Sequence, residues 1–222
     1  RMQRTGEVVP VSDDYSVWVS DLGGKNDKKI ADRGSNAGWS STGEYVYVGP
    51  NWSNSNTTYH LLRNSPGPVQ IYALSGEKYA DLGGYEDIVS ARPVWPTKQI
   101  LINRLVEEDE TQYLELWILP EMGGKGRLLF ADKLSQDNFM TRVAPSPEGN
   151  FAVFGNRGHM WSIDLTDGKR HKLTPHESYW WYPVWPRDGK VYFIEEDEDG
   201  DSIWLFEFQA KTAIRIWPVR SS

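Results

Sequence analysis

The 222-residue chain contains no cysteine. Disulfides, thiolate catalysis and cysteine-held zinc are therefore excluded, while cytoplasm, periplasm and cell surface all stay open as settings. Histidine is scarce as well: His60, His159, His171 and His176 fall in separate contexts, with no His-x-His or His-x-x-x-His pair to suggest a metal. A Gly-x-Ser-x-Gly elbow, a phosphate loop and a dinucleotide fingerprint are missing too, so the sequence names no catalytic residue, metal or cofactor. No apolar run reaches the roughly 18 residues that a membrane helix needs, and Arg1-Met2-Gln3-Arg4 leads into no apolar signal core. A soluble chain without membrane insertion is expected, and its start on Arg1 reads as a piece cut or processed from something longer. Positive charge is in deficit, 24 Lys and Arg against 31 Asp and Glu for a formal net charge of −7. Such a field repels phosphate backbones and anionic lipid, and nucleic acid is not expected as a partner.

What the chain has instead is aromatic rings and turn formers. Eleven Trp and eleven Tyr stand beside twenty Gly and thirteen Pro, the composition of short strands separated by tight turns. An aromatic recurs inside an alternating apolar strand: Ser16-Val17-Trp18-Val19, Gln70-Ile71-Tyr72-Ala73, Glu115-Leu116-Trp117-Ile118, His159-Met160-Trp161-Ser162 and Ser202-Ile203-Trp204-Leu205. The steps between these aromatics are 54, 45, 44 and 43 residues, the length of a propeller blade.

A second landmark precedes four of those strands: Gly38-Trp39-Ser40-Ser41-Thr42-Gly43, Val94-Trp95-Pro96-Thr97, Ala144-Pro145-Ser146-Pro147-Glu148-Gly149 and Val184-Trp185-Pro186-Arg187-Asp188-Gly189. Each runs straight into an apolar strand, so the unit reads strand, tight turn, strand, loop, aromatic strand, turn, strand. The landmark resembles the Trp-Ser-Pro-Asp-Gly turn of TolB-type propellers, a branch of the WD-repeat-like families, over about residues 36–219. The second copy departs from it, since Trp95-Pro96-Thr97-Lys98 carries no glycine.

The predicted fold is all-β, a β-propeller of about five four-stranded blades in a single domain over 1–222. Blades are expected at 36–84, 85–135, 136–178 and 179–222, after a partial blade at 1–35 whose inner-strand landmark is missing. Either the chain is part of a longer six- to eight-bladed propeller, or a degenerate first blade closes a five-bladed one. The five aromatics should occupy equivalent third-strand positions, because strands of period two that repeat at near-constant spacing present the same residue to the same inter-blade core.

Three residues before each landmark aromatic or proline stand Asn36, Arg92, Arg142 and Tyr182, where the innermost strand is expected to begin beside the channel. They are either solvated channel-mouth residues or a recognition face on which Arg92 and Arg142 grip an anionic group. The long loop from Pro50 to Pro68 adds Trp52 and Tyr59, which either stack on a sugar or peptide or hold the loop down. Two acidic stretches, Glu107–Glu110 and Glu195–Asp201, read as solvated hairpin tips rather than calcium loops, since the second breaks the EF-hand spacing.

The resemblance implies a protein-interaction module of the periplasm or cell envelope that binds a protein or peptide partner through that face. Two alternatives stand beside it. One is the substrate-gating propeller of a serine peptidase, with its triad outside this chain. The other is a carbohydrate-binding or sugar-active propeller, suggested by the wealth of Trp.

Overall fold

In a computed structural model of the protein, the described residues are 16–32, 37–40, 42–49, 68–82, 85, 87–134, 143–186, 189–198, 200–208 and 210–217. Every regular element among them is a β-strand. The chain divides into two compact units, residues 1–93 with 98–128, and residues 94–97 with 129–222.

The first unit opens with an antiparallel pair, β1 (Val17–Val19) and β2 (Lys28–Ala31). A four-stranded meander follows: β3 (Ala37–Trp39), β4 (Tyr45–Val48), β5 (Gln70–Ala73) and β6 (Lys78–Asp81). Val17, Ile30 and Ala31 of the pair pack on Val46 and Val48, while the other face of the meander buries Tyr47 and Ile71 against Ile88, Ile100 and Ile102 of the next sheet. That next sheet is β7 (Ile88–Val94), β8 (Gln99–Glu108), β9 (Thr111–Pro120) and β10 (Arg127–Lys133), whose last strand carries the chain into the second unit.

The second unit holds two further meanders. One is β11 (Ala144–Pro145), β12 (Phe151–Asn156), β13 (His159–Asp164) and β14 (Arg170–Lys172). The other is β15 (Tyr179–Val184), β16 (Lys190–Asp197), β17 (Gly200–Glu207) and β18 (Thr212–Trp217). Val153, Met160 and Leu173 of the former pack with Trp180, Val191, Phe193 and Phe206 of the latter.

The repeat read from the sequence is the repeat of the fold. Tyr72, Trp117, Trp161 and Trp204 all lie on the third strand of their sheets, and Trp18 lies on β1, the first strand of the two-stranded pair. All five rings are half-buried. In four sheets the cross-strand neighbour of the aromatic on the following strand is basic: Lys29 opposite Trp18, Lys78 opposite Tyr72, Lys172 opposite Trp161 and Arg215 opposite Trp204. The Lys29 ammonium lies 5.8 Å from the Trp18 ring centroid, close enough for attraction to the ring face.

The landmark turns are equally uniform. Ser40 and Ser146 are buried, and each bonds the backbone across its turn: Ser40 N–H donates to Tyr45 O at 2.9 Å and Ser146 N–H to Phe151 O at 2.8 Å. Gly43, Gly149 and Gly189 close their turns with φ of 74°, 73° and 74°, a region open to glycine at no steric cost. The copy without glycine takes a different path, with a cis Trp95–Pro96 bond, a bond from Thr97 N–H to Val94 O at 3.0 Å and the positive φ, 53°, on Lys98.

Candidate functional site

Of the six residues singled out for partner binding, Arg92 and Tyr182 fall within the described residues, while Asn36, Arg142, Trp52 and Tyr59 lie outside them. Both belong to the first strand of a sheet, one in each unit, at equivalent distances before Trp95 and Trp185. Neither stands where its strand begins: four residues of β7 precede Arg92 and three of β15 precede Tyr182. The strands start earlier than expected because Ile88 and Trp180 are already buried core residues that must be paired into the sheet.

Arg92 is half-buried and donates Nη1 to the carbonyl of its neighbour Ala91 at 3.2 Å. It borders a small open cleft in the first unit, where β7 runs beside Ala37, Gly38, Tyr47 and Val69. Tyr47 forms part of the wall and donates its phenol to the Glu121 carbonyl at 3.0 Å. Burial first, and the Glu121 charge second, push the Tyr47 phenol far above its ordinary pKa, so it stays a neutral donor.

Tyr182 is 54% exposed. Its φ of 47° belongs to a bulge that shifts the β15–β16 register between Trp181 and Val184. An extra residue in one strand turns its side chain out of the alternation, and the Tyr182 ring points into solvent from a strand that buries Trp180 and Pro183. On the same strand the rings of Tyr179 and Trp181 lie parallel, with centroids 6.4 Å apart and an interplanar angle of 11°.

Behind each of the three third-strand tryptophans stands a pair of polar residues that the sequence alone does not single out. The second-strand residue two beyond the aromatic's cross-strand partner is Arg104, Asn156 or Glu195, and its own cross-strand partner is Glu115, His159 or Ser202. One member of each pair takes the indole proton: Trp117 donates to Glu115 at 2.7 Å, Trp161 to the Asn156 carbonyl at 2.9 Å and Trp204 to Glu195 at 2.8 Å. Tyr72 and Trp18 use the residue two before them, Gln70 at 2.8 Å and Ser16 at 2.7 Å. That position is polar in all five aromatic segments, a signal present in the sequence.

Each pair recruits further groups. Arg104 makes a two-pronged bond to Asp87, 2.7 Å at both contacts, and lies over the Tyr85 and Trp117 rings at 4.8 and 5.5 Å. Burial works against its charge, but the bond to Asp87 and the charges of Asp87 and Glu115 outweigh it and raise the guanidinium pKa. His159 Nδ1 lies 3.0 Å from Thr174 Oγ1, and burial, aided by the nearby Lys172 charge, lowers the imidazole pKa against the pull of Glu177.

Glu195 overturns an expectation. Placed in an acidic stretch that read as a solvated tip, it is only 2% exposed. Its second oxygen lies 2.5 Å from His176 Nε2, and the His176 ring packs against Trp180 and Trp204. Register explains the correction: the tip begins only beyond the Asp197–Gly200 pair, so Glu195 is still inside β16. The Glu107–Glu110 stretch is an exposed hairpin end, with Asp109 and Glu110 at φ 48° and 59°. Among the described residues no group of three or more His, Cys, Asp and Glu is placed to hold a metal ion.

No protein-family model matches the chain, and no curated protein matches it. Solved structures do. The TolB structure of Acinetobacter baumannii aligns with a TM-score of 0.60 at 12% identity, over 90% of this chain and 48% of that one. An oligogalacturonate lyase in complex with manganese aligns at 0.65 and 11% identity, over 90% and 58%. The β-propeller domain of the Trilobed protease from Pyrococcus furiosus aligns at 0.61 and 16% identity, over 91% and 61%. The chain thus spans about half to three-fifths of the length of these structures. These structures differ widely from one another and share the fold of this chain, a TolB-like β-propeller fold.

Proposed function

We propose that the chain is a non-catalytic interaction module, a TolB-like propeller segment that binds a protein or peptide partner through the inner strands of its blades. Tyr182 carries this reading. A bulge turns a tyrosine out of the alternation of the first strand and leaves it 54% exposed, where a flat alternating strand would have placed it on the face that buries Trp180. Bulges are over-represented next to functional sites, where they re-aim a side chain, and Tyr and Arg are among the residue types enriched at the energetic centres of interfaces. Arg92 at the equivalent position of the first unit supplies a cation beside a cleft, suited to a carboxylate. A location in the cell envelope belongs to the same proposal and is supported by the likeness to TolB.

The test begins with affinity capture from the native host and continues with titration of the captured partner. Arg92→Ala and Tyr182→Asn, the latter chosen because Asn tolerates a left-handed backbone, are expected each to weaken binding about tenfold while the melting midpoint stays near that of the wild type. A partner that binds both variants as tightly as the wild type rules out these strands as the binding surface.

A further inference from the structure

Two sheets hold a carboxylate against a third-strand indole, and they differ in the group that meets its other side. In β7–β10, Glu115 accepts the Trp117 N–H at 2.7 Å and lies 3.4 Å from the guanidinium of Arg104. That guanidinium sits over the Trp117 and Tyr85 rings, 5.5 and 4.8 Å from their centroids, and bonds a second carboxylate, Asp87. Two carboxylates and two aromatic rings thus surround one planar cation.

In β15–β18 the same cross-strand position supplies the carboxylate from the opposite strand, since Arg104 pairs with Glu115 and Glu195 with Ser202. One Glu195 oxygen accepts the Trp204 N–H at 2.8 Å. Across from it stands a serine where the earlier sheet has its guanidinium. Arg215, the cross-strand neighbour of Trp204, donates to Ser202 and lies 3.6 Å from Asp197. The second Glu195 oxygen meets His176 instead, 2.5 Å from Nε2, on the connection that enters β15. The indoles of Trp180 and Trp204 meet edge to face at 5.5 Å, and the His176 ring packs against both, 5.5 and 5.8 Å from their centroids. An exposed carboxylate, Glu177, stands eight residues before Trp185, as Asp87 stands eight before Trp95. All of these residues belong to the second unit except those of the Arg104 cluster and Trp95, against which they are compared.

His176 is held by its side chain alone. The side chain is 49% exposed, and the backbone on either side is fixed without it: Ser178 N–H donates to Gly158 O at 2.9 Å, and Thr174 Oγ1 accepts from Met160 N–H at 3.2 Å. Rotation about its own side-chain bonds carries the ring into solvent while the path of the chain stays the same. It uncovers a carboxylate backed by a corner of two indoles.

We propose that Glu195, Trp180 and Trp204 form a seat for the guanidinium of an arginine side chain in a peptide or protein ligand, and that His176 fills the seat until the ligand displaces it. A guanidinium is preferred to an ammonium because the Arg104 cluster shows the same set of groups around one, and because a planar cation stacks on an indole while its edge reaches the carboxylate. The seat involves neither Arg92 nor Tyr182 and does not depend on their contacting a partner.

The Trp204 indole N–H reports the seat directly, since its acceptor is the carboxylate that the ligand engages. N-acetyl-arginine amide is titrated into the isotopically labelled protein and the Trp204 indole resonance, assigned through Trp204→Phe, is followed by NMR. A saturable shift is expected, with a midpoint about tenfold lower in His176→Ala than in the wild type, because the variant has no ring to displace. His176→Ser repeats the comparison with a second small side chain. The uncharged isostere N-acetyl-citrulline amide is expected to move the resonance in neither protein, and Glu195→Gln, its fold checked by the remaining indole resonances, is expected to lose the response to arginine. The absence of a saturable shift in the His176 variants overturns the proposal. So do equal midpoints in wild type and variants, an equal response to citrulline, and arginine binding that survives Glu195→Gln.

Discussion

The indole N–H of Trp204 is held by the carboxylate of Glu195 at 2.8 Å, across the second and third strands of the last sheet. The bond is half of what satisfies Glu195 where it is only 2% exposed: one oxygen accepts from the indole and the other meets His176 Nε2 at 2.5 Å. Replacing Glu195 by Ala removes the acceptor and leaves a half-buried indole donor without it, which is expected to cost about 1–3 kcal/mol of unfolding free energy. Glu195→Gln keeps an acceptor oxygen in place and should lose less than half of that. Urea unfolding of the two variants separates the outcomes, and an Ala variant as stable as the wild type would mean that the bond is not formed in solution.

Arg104 offers a parallel case with stronger geometry. Its guanidinium reaches both oxygens of Asp87, with side chains only 18% and 26% exposed, and it covers the Tyr85 and Trp117 rings. Arg104→Ala is expected to destabilise the protein by about 2–4 kcal/mol, through the uncompensated Asp87 and Glu115 charges as well as lost packing. Arg104→Lys should recover little, because an ammonium cannot make the planar two-pronged contact. A Lys variant matching the wild type in urea would show that charge alone, not the fork, is what matters there.

These polar pairs mark the limit of what was legible in the sequence. Blade spacing could be read because a half-buried third-strand ring recurs in every four-stranded sheet, and the turns could be read because glycine alone takes φ near 74° without strain. Glu195 could not be read in this way: in a string of seven residues rich in Asp and Glu, its burial depends on a register that pairs it with Ser202 rather than leaving it in the loop. Arg104 is hidden for the same reason inside β8, where it looks like the outward residue of an alternation. Lys98 shows a different limit, since a turn can force a non-glycine residue into the left-handed region when the flanking strands fix its ends. For the proposed binding residues, the bulge that exposes Tyr182 arises from pairing with β16, and no local signal announces it.

His159 supplies a pH dependence whose sign follows from its surroundings. Burial and Lys172 depress its pKa in the folded protein below the unfolded value of about 6.5, so the unfolded chain binds the proton more readily. The stability linked to this group is complete above the unfolded pKa and is lost as pH falls from there through the folded pKa. Urea midpoints of wild type and His159→Gln, compared at pH 7.5 and 5.5, should therefore converge at the lower pH or cross, the wild type losing more on acidification. A variant that loses as much as the wild type would assign the acid sensitivity to other groups.

Two glycines of the same turn type differ in what surrounds them, and that difference fixes the last expectation. Gly149 and Gly189 have φ of 73° and 74°, so a side chain at either is strained by about 1 kcal/mol from the backbone alone. A Cβ at Gly189 would meet nothing within 4 Å, whereas one at Gly149 would lie 2.6 Å from Thr97 Cγ2 and 2.9 Å from the Trp95 carbonyl oxygen. The carbonyl belongs to the backbone of the neighbouring landmark turn and cannot rotate away as a side chain would. Gly189→Ala should therefore lower stability by about 1 kcal/mol and Gly149→Ala by about 2–4 kcal/mol, the excess being the cost of moving packed backbone. Calorimetric melting of both variants, with Thr97→Ser beside Gly149→Ala, checks the account. Because Ser lacks the Cγ2 methyl, the double variant should regain part of the loss, and the remainder measures the approach to Trp95. Equal destabilisation by the two alanines would mean that the turns at Trp95 and Gly149 do not approach each other as closely as these distances require.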